Sequence, residues 1–339
     1  MDPEQFFTAS GVIIVAGKGG VGKTAVTAAL AVAASSVGCR TLIVEVEGKS
    51  GLAAMFDSEQ LSFDELVLVE PGSPVEPVGL QGSEQEPVQM HGGVSARTVT
   101  PDEALVEYLR AHGMQRISNR LVSLGAVELI STAVPGIRDI LVLGAVKAVE
   151  RSGSYDLIVL DAPAAGHAIS FLRSASGLVD AVKVGPIHAQ AKEVLDLLHD
   201  PTRCRVVLVT APEETPVNEL IETAYSLEDE VGVALGPVVV NGVLESLAGL
   251  GSEPQVAARD AGVQLLEGEA EMLRAAAEFR AVRTELQLTQ LDRMAQDLPL
   301  PQLHLPYLFV TDLSRPELNT LAESLLDGVR GLPEPRPAP

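Results

Sequence analysis

The sequence has no tryptophan, only two cysteines, and 3% aromatic residues in a chain of 339. Cys39 and Cys204, with no C-x-x-C, can build neither a disulfide framework nor a cysteine zinc site, so a reducing cytoplasm is the expected home. With so few rings, the core must be filled by Val, Leu, Ile and Ala from the 46% of residues that are apolar. Aliphatic filling of this kind favours a parallel sheet buried between helices. Basic residues are also scarce: 24 Lys and Arg stand against 46 Asp and Glu, a formal charge of −22. That excess argues against nucleic acid or an anionic membrane surface as a partner, because their phosphates would be repelled. No uninterrupted apolar stretch reaches membrane-spanning length, and MDPEQFFTAS carries no basic region. No stable membrane insertion is therefore expected.

What is present is concentrated in one stretch. The apolar run from Gly11 to Ala16 is followed by Gly17-Lys18-Gly19-Gly20-Val21-Gly22-Lys23-Thr24, and then by an alanine-rich segment reaching Ser36. This fits G-x-x-x-x-G-K-[ST], a glycine loop between strand and helix whose backbone N–H groups cradle phosphates. Gly17, Gly19 and Gly22 also satisfy G-x-G-x-x-G, with Glu45 near the next strand end as a ribose-binding acid. The pair Lys23-Thr24 separates the two readings. A dinucleotide loop has no use for it, whereas phosphoryl transfer needs a cation on the outer phosphates and a hydroxyl on Mg²⁺. Gly17 through Thr24 and the following Ala25 are the candidate nucleotide-binding residues, with Lys23 and Lys18 as candidate catalytic cations.

Alternating aliphatic and helical segments along the chain predict an α/β fold with a mostly parallel, doubly wound sheet. The strand Thr41 to Val46 leads into Glu45-Val46-Glu47. Alternate residues of a strand face one way, so both carboxylates are expected beside the phosphate loop, Glu47 to orient the attacking water and Glu45 behind it. The strand Tyr155 to Leu160 delivers Asp161, placed to hold Mg²⁺ together with Thr24. A later strand, Gly236 to Val240, ends in Asn241, whose amide can both donate to and accept from an adenine edge. The core is expected over about 10–60, 94–112, 152–245 and 300–330. Helical spacing over about 113–150 and 250–297 predicts an α-helical insertion, and 331–339 reads as a disordered tail. No repeat at a fixed period is visible.

The run KGGVGKT resembles the deviant P-loop of the ArsA, tail-anchored-protein-targeting, MinD and ParA ATPases. DAPAAGH, Asp161 to His167, resembles the D-T-A-P-T-G-H switch of the ArsA group, which separates it from MinD and ParA. VVVNGV resembles that group's V-V-N-R-V adenine element, with Gly242 where Arg is common, and PGIRD, Pro135 to Asp139, resembles a P-G-x-x-E/D element of its helical insertion. The chain is thus identified as a member of the ArsA and tail-anchored-targeting (anion-transporting) ATPase family. It is similar to single-copy actinobacterial members that pair as heterodimers, particularly in the EVEG switch.

The resemblance implies a dimer in which Lys18 reaches the partner's nucleotide. It also gives Gly166 a role in sensing the γ-phosphate, Pro163 a role in shaping the switch, and His167, Pro212 and Glu213 places beside the site. Glu47 stands where the family has Asp and Gly48 where proline is usual, departures that bear on the hydrolysis rate. The expected cofactors are ATP and Mg²⁺, and the expected function is a cytoplasmic ATPase whose dimer closes and opens and so moves a helical subdomain that binds a hydrophobic protein client or partner. The alternative is a nucleotide-gated binding protein with little turnover, possibly one half of a heterodimer. With no cysteine in the helical insertion, soft-metalloid ligation, a zinc-clasped dimer and an iron–sulfur site are not expected.

Overall fold

The structure is a computed structural model that describes residues 1–46, 51–75, 88–89, 91–111 and 136–334. The strands are β1 (Val12–Gly17), β2 (Thr41–Glu45), β3 (Leu66–Val69), β4 (Pro74–Val75), β5 (Val88–Gln89), β6 (Val94–Thr98), β7 (Leu157–Ala164), β8 (Cys204–Thr210), β9 (Val238–Val243) and β10 (Gln302–Pro306). Eight of them form one sheet in the order β10, β9, β8, β1, β7, β2, β6, β3, while β4 and β5 pair separately. All neighbours in the large sheet run parallel except β3, which lies antiparallel to β6 at the edge. This is the expected doubly wound arrangement. β1 and β2 are buried along their whole length, as aliphatic strands covered on both faces must be.

On one face lies α2 (Lys23–Ser36), pressed between the sheet and α11 (Arg315–Arg330). Its alanines explain the close fit: Ala25, Ala28, Ala29, Ala31, Ala33 and Ala34 are all buried, so the helix is covered all round. α11 starts at a capping box in which Ser314 and Glu317 satisfy each other's backbone N–H groups. Pro3–Thr8, to which the sequence assigns no element, forms the short helix α1, with Asp2 accepting from Gln5 N at 3.0 Å and Phe6 and Phe7 buried. α3 is Gly51–Met55.

The opposite face carries α4 (Pro101–Ala111), α5 (Ile137–Ser152), α6 (Ala165–Ala181), α7 (Pro186–Leu198) and α8 (Glu214–Ser226). The first part of the expected insertion, 113–135, lies outside the described residues. Its second part is α5, whose Ile140, Leu143 and Val146 are buried in the same core as Ile14 and Leu160 of the sheet. Residues 250–297 form the short α9 (Pro254–Asp260) and then α10 (Glu269–Asp297), 29 residues long. Gln287, Leu291 and Met294 line the inward side of α10, while Met272, Phe279, Val282 and Leu286 are exposed. Among the described residues no helix is long and apolar enough to cross a membrane.

Candidate nucleotide site

β1 delivers Gly17 to the carboxyl edge of the sheet, where the strand order reverses and ligands of open α/β sheets sit. A Cβ on Gly17 would lie 2.3 Å from the carbonyl oxygen of Val209 on β8, so only glycine fits. Gly20 and Gly22 then turn the chain in the left-handed region, at φ +88° and +89°. Gly22 is the N-cap of α2 and offers no capping side chain, which leaves the first-turn N–H groups for a bound anion. Lys23 is buried at the base of the loop, its Nζ donating to the carbonyl of Lys18 at 3.3 Å.

Thr24, one residue into α2, donates from Oγ1 to Asp161 Oδ2 at 2.7 Å. Asp161 stands in register between Val15 on β1 and Glu45 on β2. Past it the pairing slips, from Val15 opposite Asp161 to Gly17 opposite Ala164. That irregularity accommodates Pro163, which has no N–H to give an interior strand. Glu45 is buried, with Oε2 accepting from Thr98 Oγ1 at 3.2 Å. A hydroxyl and a carboxylate side by side form a hard oxygen donor set of the kind Mg²⁺ accepts, with phosphates and water completing its shell. Among the described residues no group of three or more His, Cys, Asp or Glu could hold a metal.

On the other side of the loop a cavity of about 320 Å³ opens at the carboxyl ends of β8, β9 and β10. Gly20, Val21, Ala25, Pro212 and Asn241 are among its lining residues. Asn241 Nδ2 donates to the carbonyl of Val21 at 3.0 Å, and a Cβ on Gly22 would come within 2.2 Å of that nitrogen. The strand end and the phosphate loop are therefore fitted to each other.

Residues 10–184 match the family described as anion-transporting ATPase. The chain is 34% identical over 235 residues to the ATPase BagA of Mycobacterium tuberculosis, an alignment covering 67% of this chain and 64% of that protein. It is 25% identical over 248 residues to an arsenical pump-driving ATPase of Escherichia coli, covering 67% of this chain and 38% of that one. The chain belongs to the anion-transporting ATPase family. It spans less than two thirds of the length of these relatives.

Within this family member the expected site residues fall into three places. The loop Gly17 to Ala25 meets Asp161 through Thr24, and Asn241 and Pro212 line the cavity. Gly166 and His167 lie exposed in the first turn of α6, directly after β7. Glu47 and Gly48 lie outside the described residues. Lys18 is not extended into solvent: its Nζ meets Glu219 Oε1 on α8 of the same chain at 2.6 Å. Three residues near the site carry no motif and escape sequence reasoning, namely Glu219 and, from α10, Arg283 and Gln287, which line the cavity. Only the i, i+4 spacing of the last two hints that they share a helix face.

Proposed function

We propose that this chain is a Mg²⁺-dependent ATPase of the ArsA and tail-anchored-targeting type. The observation that carries the reading is the Thr24–Asp161 contact beneath an uncapped glycine loop, because it brings a metal-binding oxygen pair to the phosphate end of a nucleotide-sized groove. Bound Mg²⁺ would neutralise charge on the outer phosphates. The loop N–H groups and Lys23 hold those phosphates, Thr24 and Asp161 hold the cation, and Glu47 orients the water. The nucleoside lies toward Asn241, on the side of the loop away from Asp161. Lys18 leaves Glu219 to meet the phosphates of a partner subunit's nucleotide, so ATP favours pairing and hydrolysis relaxes it. The exposed stripe Met272, Phe279, Val282 and Leu286 is the surface that would meet a hydrophobic client.

Phosphate release measured with wild-type protein and Lys23→Ala, alone and with a related ATPase chain added, tests this reading. Mg²⁺-dependent turnover lost in the variant is expected. Background turnover with intact ATP affinity would point instead to a nucleotide-gated binding protein.

A further inference from the structure

We infer that Arg283, on α10, is a specificity-determining residue of the nucleotide site, donating to the acceptor edge of an adenine ring. This rests on the ATPase reading and goes beyond it, since neither the phosphate loop nor the strand ends supply this group. The cavity beside Asn241 is large enough for a base, at about 320 Å³. Among the described residues Arg283 is the one cationic side chain that lines it. Its Nη2 pairs with Glu213 Oε1 at 3.2 Å, across the mouth of the cavity.

Two features fix Arg283 there. First, it lies on the inward side of α10, one turn before Gln287 and two before Leu291, both buried. Second, Gln287 fastens the helix to the end of β9: its Oε1 accepts from Leu244 N at 2.8 Å and its Nε2 donates to Gly242 O at 3.1 Å. Gln287 has thereby spent its amide on the protein and has little left for a ligand. Gly242 contributes no side chain, and a Cβ there would face the Tyr307 ring at 3.6 Å, with φ at +80°. Among the described residues Arg283 is then the charged side-chain donor that the cavity offers a base.

The chemistry selects adenine. Val21's carbonyl can only accept, so Asn241 must turn its Nδ2 to it, which leaves Oδ1 as the acceptor for a ligand. Oδ1 suits adenine's exocyclic amine and opposes guanine's O6. Adenine N1 is an acceptor where guanine N1 carries a hydrogen, and the guanidinium fork supplies a donor for it while its remaining N–H stays on Glu213.

Calorimetric titration with ATP and with inorganic tripolyphosphate, both with Mg²⁺, tests the inference on wild type, Arg283→Ala and Arg283→Lys. Arg283→Ala is expected to weaken ATP roughly tenfold or more and leave tripolyphosphate within twofold, as loss of one charge-assisted contact to the base would. Arg283→Lys should recover only part of that. Equal weakening of ATP and tripolyphosphate in both Arg283 variants, or no weakening in either, would overturn the inference. Should Arg283→Ala fail to fold, the same comparison in Arg283→Lys decides. Wild-type protein that binds neither compound would overturn the ATPase reading itself.

Discussion

Lys18 Nζ lies 2.6 Å from Glu219 Oε1, so the lysine that distinguishes this phosphate loop is held by a carboxylate of its own chain. Both side chains are partly exposed, 33% and 42%, and an exposed pair contributes only about 0.2–1 kcal/mol. A phosphate can therefore displace Glu219. Removing the competitor with Glu219→Gln should shift ATP-dependent pairing of subunits to severalfold lower ATP, while Lys18→Ala should abolish it. Sedimentation velocity across an ATP series checks both; an unchanged midpoint in Glu219→Gln would sink the idea that this contact restrains Lys18.

The Thr24–Asp161 contact makes a second prediction. Thr24→Ala and Asp161→Asn should each lower turnover by about 10²-fold, the usual effect of losing one electrostatic support of a transition state. ATP affinity should also lose its dependence on Mg²⁺, measured by titration with and without chelator. If both variants still respond to Mg²⁺ like the wild type, this pair does not hold the cation.

Close packing at two glycines gives a structural prediction. Gly17→Ala forces a methyl to 2.3 Å from Val209 O and should destabilise the protein by about 1–3 kcal/mol. Gly22→Ala meets both a left-handed φ and Asn241 Nδ2. Shortening that partner in Gly22→Ala/Asn241→Ala should recover part of the loss, a coupling that urea unfolding of the four-member cycle would reveal. Strict additivity would mean that the two residues do not press on each other.

Asp139 supplies a pH dependence. Burial pushes its carboxyl up to about 6, against the opposing pull of Arg138 and His167. Between its ordinary value of 3.8 and about 6, the folded state binds the proton that the unfolded state has lost. Its contribution to stability is therefore complete below pH 3.8 and lost as pH rises through 6. Asp139→Asn should differ little from wild type near pH 4 and be the more stable of the two at pH 7.5. Urea midpoints at the two pH values check this, and a constant gap would refute it.

The phosphate loop, the strand class and Asp161 are legible in the sequence because each is written in neighbouring residues. A glycine pattern followed by Lys-Thr specifies its own backbone turn. An aliphatic run buried on both faces specifies a parallel strand, and an acid at its end lies at the sheet's ligand edge. The N-terminal helix escapes the same reasoning: its stability comes from Phe6 and Phe7 packing on distant elements, not from a periodic pattern in six residues. Only the tertiary structure places Asn241 over Gly22, Glu219 on Lys18, and Arg283 with Gln287 at the cavity. Those contacts join residues roughly 45 to 220 positions apart, as with Gln287 to Gly242 and Asn241 to Val21. Their geometry depends on how helices settle against the sheet, which burial of the whole core decides and no local stretch of chain encodes.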